Sequence, residues 1–257
     1  MKRVPSSKGA FGLVLLAPLL LAQAKPRLVP DVSQDDIKIV YSFTGAELLL
    51  FGAILYPGGR IPRAPPDIVV VLKGPVQPIV VREKQKVAGI WMNVADARFR
   101  SAPSFYAVAS SRPIAELVDE RTAAIYELGL QNLALSPGGG VLPDEARRFE
   151  AGLIDLKRRG GLYVEEPTGV EISEGVLYRA RLDVPARVPV GEYTAETFLV
   201  QDGRVLAGAV KDVRIGKAGF ERFVAIAAER WSLTYGLTAV LLSLAMGWAA
   251  ARLFRRL

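Results

Sequence analysis

The chain of 257 residues has no cysteine and no histidine. Those two absences exclude a Ser-His-Asp triad, a cysteine nucleophile, a Cys/His zinc site, attached haem and a disulfide framework. Methionine is scarce too: beyond Met1 only Met92 and Met246 occur, so soft ligands for copper are lacking. The acidic pairs Asp35-Asp36, Asp119-Glu120, Asp144-Glu145 and Glu165-Glu166 do not have calcium-loop spacing. They read as turn and cap residues. Pro57-Gly58-Gly59-Arg60 and Gly138-Gly139-Gly140 lack both the Gly-Lys-Ser/Thr and the G-x-G-x-x-G patterns that cradle phosphates. No catalytic, cofactor-binding or metal site emerges, and the chain reads as non-enzymatic. A carboxylate pair for glycoside hydrolysis would leave no sequence signature, and nothing points to one.

Charge is plentiful but unevenly placed. The formal net charge of +7 invites a nucleic-acid reading. Lys2, Arg3 and Lys8 at one end and Arg252, Arg255 and Arg256 at the other account for six of those charges. Residues 25–251 hold 27 basic and 26 acidic side chains and are nearly neutral. The basicity is therefore a topology signal and not a phosphate-binding surface, and no nucleic-acid partner is expected.

The two ends carry that topology. Residues 1–24 have a basic start, an apolar stretch from Ala10 to Ala22 and small residues at Ala22-Gln23-Ala24. That is the three-part pattern of a secretory signal peptide, so the mature chain would begin at Lys25. An uncleaved anchor is the alternative, but the apolar run is short and Pro18 interrupts it. From Trp231 to Ala251 the chain is uncharged, and as a helix it would span about 31 Å, close to the hydrocarbon thickness of a bilayer. Trp231, Tyr235 and Trp248 sit where interfacial aromatics belong, and Arg252, Arg255 and Arg256 (residues 252–257) form a cytoplasmic basic tail. Ala239, Ser243, Gly247 and Ala251 recur every four residues and stack small side chains on one helix face, against which another helix could approach closely. Composition alone would also produce such a stripe, since the segment is rich in Ala, Gly, Ser and Thr.

Between the ends, short apolar or alternating runs are separated by Gly and Pro. Ile37–Phe43, Glu47–Leu55, Asp67–Lys73, Gln77–Arg82, Val87–Val94 and Ser104–Ala109 read as strands, and so do Leu162–Glu165, Gly169–Ile172, Val176–Val184, Gly191–Val200 and Val205–Ile215. Asp202-Gly203 is a strong hairpin turn. Between them, residues 111–160 read as helical: Ser111 and Pro113 start a short helix, Asp119 caps a second, and Asp144 opens a longer one with Ala146, Phe149, Leu153 and Leu156 on one face. Val188–Thr194 looks like the turn and penultimate strand of immunoglobulin-like domains, a likeness that bears on fold alone. The expected architecture is mainly β: an immunoglobulin-like β-sandwich over residues 25–217 with a helical insertion at about 111–160. A membrane-proximal helix over 218–230 and one C-terminal transmembrane helix over 231–251 complete it. Two small sandwiches joined by helices is the alternative. Trp91, Phe99, Phe105, Tyr106 and Tyr163 either line a groove or fill the core.

The runs Asp31-Val32-Ser33-Gln34-Asp35-Asp36-Ile37-Lys38-Ile39 and Phe43–Ala53, with Trp91-Met92-Asn93, Pro103–Tyr106, Ser110–Pro113 and Gly219-Phe220-Glu221, resemble an alphaproteobacterial family of transmembrane proteins of unknown function (Alph_Pro_TM-like). The resemblance implies a Gram-negative inner-membrane protein with a periplasmic domain and a cytoplasmic C-terminus. It offers no catalytic residues to carry over, and it suggests an association with sulfite-exporter-like permeases. The expected partners are the lipid bilayer and an integral membrane protein or a second copy of the chain, with no cofactor. The expected function is that of an accessory subunit of a membrane transporter. The alternative is a self-contained, tethered periplasmic module that binds a ligand or organises the envelope.

Overall fold

The structure is a computed structural model and describes residues 25–39, 45–62, 66–139, 142–217, 224 and 227–254. In chain order its strands and helices are β1 (Arg27–Val32), β2 (Asp36–Ile39), β3 (Gly45–Leu55), β4 (Asp67–Lys73), β5 (Val76–Val87), β6 (Ile90–Pro103), β7 (Tyr106–Ser110), α1 (Ile114–Leu117), α2 (Glu120–Ile125), β8 (Ser136–Pro137), α3 (Pro143–Arg159), β9 (Tyr163–Pro167), β10 (Val170–Ser173), β11 (Leu177–Pro185), β12 (Gly191–Gln201), β13 (Arg204–Lys217) and α4 (Ser232–Phe254). The protein is mainly β, with three sheets, few helices and one C-terminal apolar helix. The expected signal peptide over 1–24 and most of the expected helix over 218–230 lie outside the described residues.

One sheet has the order β1-β3-β11-β10 and is antiparallel throughout. The second has the order β2-β13-β12-β4-β7-β9, in which β2 pairs with β13, and β7 with β9, in parallel. The two face each other across one core. Leu28, Leu48, Leu50, Ile54 and Leu182 of the first sheet bury themselves against Ile68, Val70, Leu72, Leu199 and Val213 of the second. In β11 the alternation is strict: Tyr178, Ala180, Leu182 and Val184 point inward while Arg179, Arg181 and Asp183 face water.

β4 breaks that alternation because both of its faces are covered. Val69 and Val71 point away from the first core into a second one, formed with Tyr106, Val108 and Tyr163 and closed by Ile114, Leu117, Ala123, Leu128 and Leu130 from the helical segment. The unbroken apolar run Ile68–Leu72 is what a strand buried on both faces requires. A third, smaller core joins α3 to the sheet of β5, β6 and β8 through Phe149, Leu153, Ala97, Phe99 and Ala102.

Several local expectations need correction. Ser111 does not cap α1, because its hydroxyl donates to Asp67 Oδ1 at 2.8 Å instead and Pro113 takes the cap position. Asp119 does cap α2, accepting the Thr122 N–H at 2.9 Å. α3 begins one residue before Asp144, at Pro143, whose missing N–H is no loss in a first turn. Leu156 is exposed; the apolar side of α3 turns instead through Ile154, which meets the second core. β5 and β6 are far longer than the short strands read from sequence and form one hairpin, closed at Ala88-Gly89 with φ of 49° and 85°.

Candidate functional site

The helical segment is stapled to the sheets by polar groups that have structural work to do. The Lys73 ammonium lies 3.0 Å from Glu127 and 3.1 Å from Glu196. Burial pulls its pKa down, but hydrogen bonds and charge from the two carboxylates outweigh that and leave it raised. The Tyr106 hydroxyl donates to the Glu127 carbonyl at 2.7 Å and accepts from the Gly129 N–H at 3.0 Å. Asp67 accepts from Ser111 and, at 3.0 Å, from Arg112 Nε. Burial alone would raise the Asp67 carboxyl, and these donors reverse the direction and hold it below the usual value. All of these groups are satisfied by the fold itself.

An open cleft of about 800 Å³ runs along the rim between the two large sheets, where Glu47, Glu166, Glu171, Asp183, Arg179 and Arg181 converge. Arg179 pairs with Glu171, and Arg181 lies 3.7 Å from Glu47. The Arg179 hydrogen bond lowers the Glu171 pKa, which is opposite to the shift a general acid needs. Among the described residues no three acidic side chains come together in a way that could hold a metal ion.

Among the described residues, two exposed apolar surfaces lie apart from the two large sheets. The first is α4. Its stretch Ser232–Arg252 has a mean hydropathy of 1.5, is long enough to cross a membrane and has none of its residues covered by the described chain. Ala239, Ser243, Gly247 and Ala251 lie along one exposed face, and a side chain added at Gly247 would meet open space. The hydroxyls of its middle turns are satisfied internally: Thr238 donates to the Thr234 carbonyl at 2.7 Å and Ser243 to the Val240 carbonyl at 2.8 Å. A partner helix on the small-residue face would therefore meet a Ser243 hydroxyl already bonded within α4. Arg252 stacks on the Trp248 ring at 5.9 Å, while Arg255 and Arg256 lie outside the described residues.

The second surface is the end of the β5–β6 hairpin, which sequence reasoning did not single out. Of the five aromatics left open between groove and core, Phe99, Phe105, Tyr106 and Tyr163 are buried, whereas Trp91 is 68% exposed. Around it Val87, Ile90, Met92 and Val94 are exposed as well. The signal available in the sequence was Ala88-Gly89, a two-residue turn between two alternating runs.

The chain matches, over residues 27–256, a family model described as "Putative transmembrane protein (Alph_Pro_TM)". No curated protein matches it. The crystal structure of Spo0M, the sporulation control protein of Bacillus subtilis, aligns with a TM-score of 0.28 at 10% identity, covering 81% of this chain and 56% of that one. The chain thus spans about half the length of that protein, and so low a score supports no comparison of folds. Matched over nearly its whole length and carrying one C-terminal candidate span that would contact the lipid bilayer, the chain belongs to this family of transmembrane proteins.

Proposed function

We propose that the chain is a non-enzymatic, single-pass accessory subunit whose periplasmic domain and spanning helix dock on a multi-span membrane partner of the sulfite-exporter-like permease type. The observation that carries the reading is the exposed small-residue face of α4, Ala239, Ser243, Gly247 and Ala251. The basic residues Arg252, Arg255 and Arg256 favour a cytoplasmic C-terminus at the inner membrane, with residues 1–24 acting as the export signal. The lack of His and Cys, together with the arginine-paired carboxylates of the rim cleft, supports a non-catalytic role.

The β domain is read as immunoglobulin-like. β1, β3, β4, β10, β11, β12 and β13 follow the A-to-G order along the chain, with A-B-E-D in one sheet and G-F-C in the other. The Tyr193 hydroxyl, near the start of the F-equivalent strand, donates to the Pro189 carbonyl at 2.7 Å in the manner of a tyrosine corner. The hairpin, the helices, β7 and β9 then form one insertion between β4 and β10.

Affinity purification in mild detergent from native membranes, through a tag after Leu257, tests the docking. A permease in near-equal amount is the expected result. Replacing Ser243 and Gly247 with Leu should reduce its recovery about tenfold if the face contributes about 1.4 kcal/mol. Unchanged recovery discards the helix face, and a lone monomer or homodimer discards the permease. A second reading, a tethered ligand-binding module, is favoured by the apolar groove of about 450 Å³ on the outer side of the β1-β3-β11 sheet, lined by Val29, Leu49, Phe51 and Leu177. Saturable binding of a small apolar ligand by the purified full chain, lost in Phe51→Asp, would support it.

A further inference from the structure

The hairpin of β5 and β6 ends in a segment that nothing in the protein covers. Every residue from Lys84 to Val94 is exposed. Support stops just before it: α3 packs on the hairpin through Phe149 and Leu153, and its last tie outward is Arg148 to Glu83 at 3.0 Å. The ladder also shifts register between Glu83 and Lys84. Beyond that point the pairs are Lys84 with Asn93, Gln85 with Met92, Lys86 with Trp91 and Val87 with Ile90. Directly paired residues share a face, so Val87, Ile90 and Met92 lie on one side and Trp91 lies beside Lys84 and Lys86 on the other. From Lys84 to Ala95 there is no acidic side chain. Exposed apolar side chains at a tip, with a tryptophan and flanking lysines, have the chemistry of the bilayer interface, where the indole sits among headgroups and lysine stems run along apolar surface with the ammonium in water.

The register places the hairpin on the right side of the domain for that role. β4 and β13 both run antiparallel to β12, and Thr194 of β12 pairs with Lys73 on one side and Asp212 on the other. The end of β4 and the end of β13 therefore reach the same end of the two-sheet body. Pro75, at the root of the hairpin, sits so close to Gly191 that a Cβ there would lie 2.8 Å from the proline ring, and Gly191 pairs with Ile215. The hairpin thus springs from the end at which β13 hands the chain on toward α4. Lys217 and Ala227, whose carbonyl already accepts the Trp231 N–H, are joined by a segment that can cover at most about 35 Å. β5 itself extends about 40 Å.

We propose that the hairpin tip, through Val87, Ile90, Trp91 and Met92 with Lys84 and Lys86, inserts into the interfacial layer of the bilayer that α4 spans, as a second membrane contact that fixes the angle of the domain. The inference rests on α4 spanning the membrane and is independent of any protein partner. Because the chain has no cysteine, single-site labels are clean. Full-length Ile90→Cys carrying the environment-sensitive dye NBD is placed in nanodiscs of phosphatidylethanolamine and phosphatidylglycerol, whose two faces are both open to aqueous iodide. The expected result is blue-shifted emission, loss of iodide quenching and quenching by brominated lipid tails. Arg204→Cys, near the turn at the opposite end of the body, stays fully quenchable. Leu244→Cys reports on the spanning helix. A wet tip with a dry Leu244→Cys overturns the proposal alone, whereas water at both overturns the spanning reading and this one with it. Lys84→Glu with Lys86→Glu should restore part of the iodide quenching in these discs and less in phosphatidylcholine; no difference removes the lysines from the proposal. A tip that is dry in native membranes but wet in pure lipid assigns the surface to a protein partner and overturns the lipid contact.

Discussion

Tyr193 shows how much a single polar atom settles. Its ring is buried, tilted against Phe105 at 6.1 Å, and its hydroxyl is the donor that holds the Pro189 carbonyl. Burial raises the phenol, pushing it up to about 12, so the donor stays protonated across any physiological pH. Tyr193→Phe leaves that carbonyl without its partner and should cost about 1–3 kcal/mol, read as a fall in Tm of the full chain in detergent. Gly52 is a second such position. A Cβ there would collide with the Val29 carbonyl oxygen and sit 2.5 Å from the Tyr178 hydroxyl. Gly52→Ala should therefore destabilise by about 1–3 kcal/mol, and adding Tyr178→Phe should not rescue it, because the backbone clash persists. Gly139→Ala, which meets open space, serves as the neutral control. Asp67 supplies the pH dependence. Its folded pKa lies below its unfolded value, so its contribution is complete above about pH 4 and is lost as the pH falls through the depressed folded value. The acid limb of Tm against pH should flatten in Asp67→Asn.

At the scale of elements, β4 and β11 were legible as strands, from a short apolar run bounded by turn residues and from an alternating run, while the burial of β4 on both faces became visible only in the structure. The sequence reading of Asp67–Lys73 coincides with the strand. β1 was missed because Pro30 interrupts it, and a proline is tolerated there only because β1 lies at the edge of its sheet. The parallel pairs β2 with β13 and β7 with β9 join distant segments, which no local pattern announces. The hairpin was half legible. Gln77–Arg82 falls within β5, but Val87–Val94 was read as one strand although the turn at Ala88-Gly89 lies inside it, and alternation alone does not say whether a side meets protein or water, so Trp91 looked no different from Phe99. The small core at the hairpin root makes a prediction of its own. Phe149→Ala should open a cavity costing about 3–5 kcal/mol. Hydrogen exchange should speed up at Ile79–Val81 and Ala95–Phe99 while β12, in the main core, keeps its protection.

For the whole molecule, charge placement was the most readable feature. With the ends set aside the chain is nearly neutral, so the expected orientation rests on the basic residues at the two ends. A fluorescent protein fused after Leu257 should light up, and alkaline phosphatase at the same place should stay inactive; the reverse would place the domain on the cytoplasmic side. The apolar helix was legible from length and composition, and the use of its small-residue face was not, since a face is a function only when something covers it.

The way β13 is held has a mechanical consequence. Over Arg214–Lys217 it is bonded in parallel to β2, and upstream it is laddered to β12 along nearly its whole length. A pull on the chain beyond Lys217 that is directed along the axis of this strand loads rows of hydrogen bonds lying across it, which bear the load together and do not open one after another. The strand that leads toward α4 is thus clamped in shear on both flanks, and the domain should withstand a pull along it far better than peeling of an edge strand such as β10 or β9.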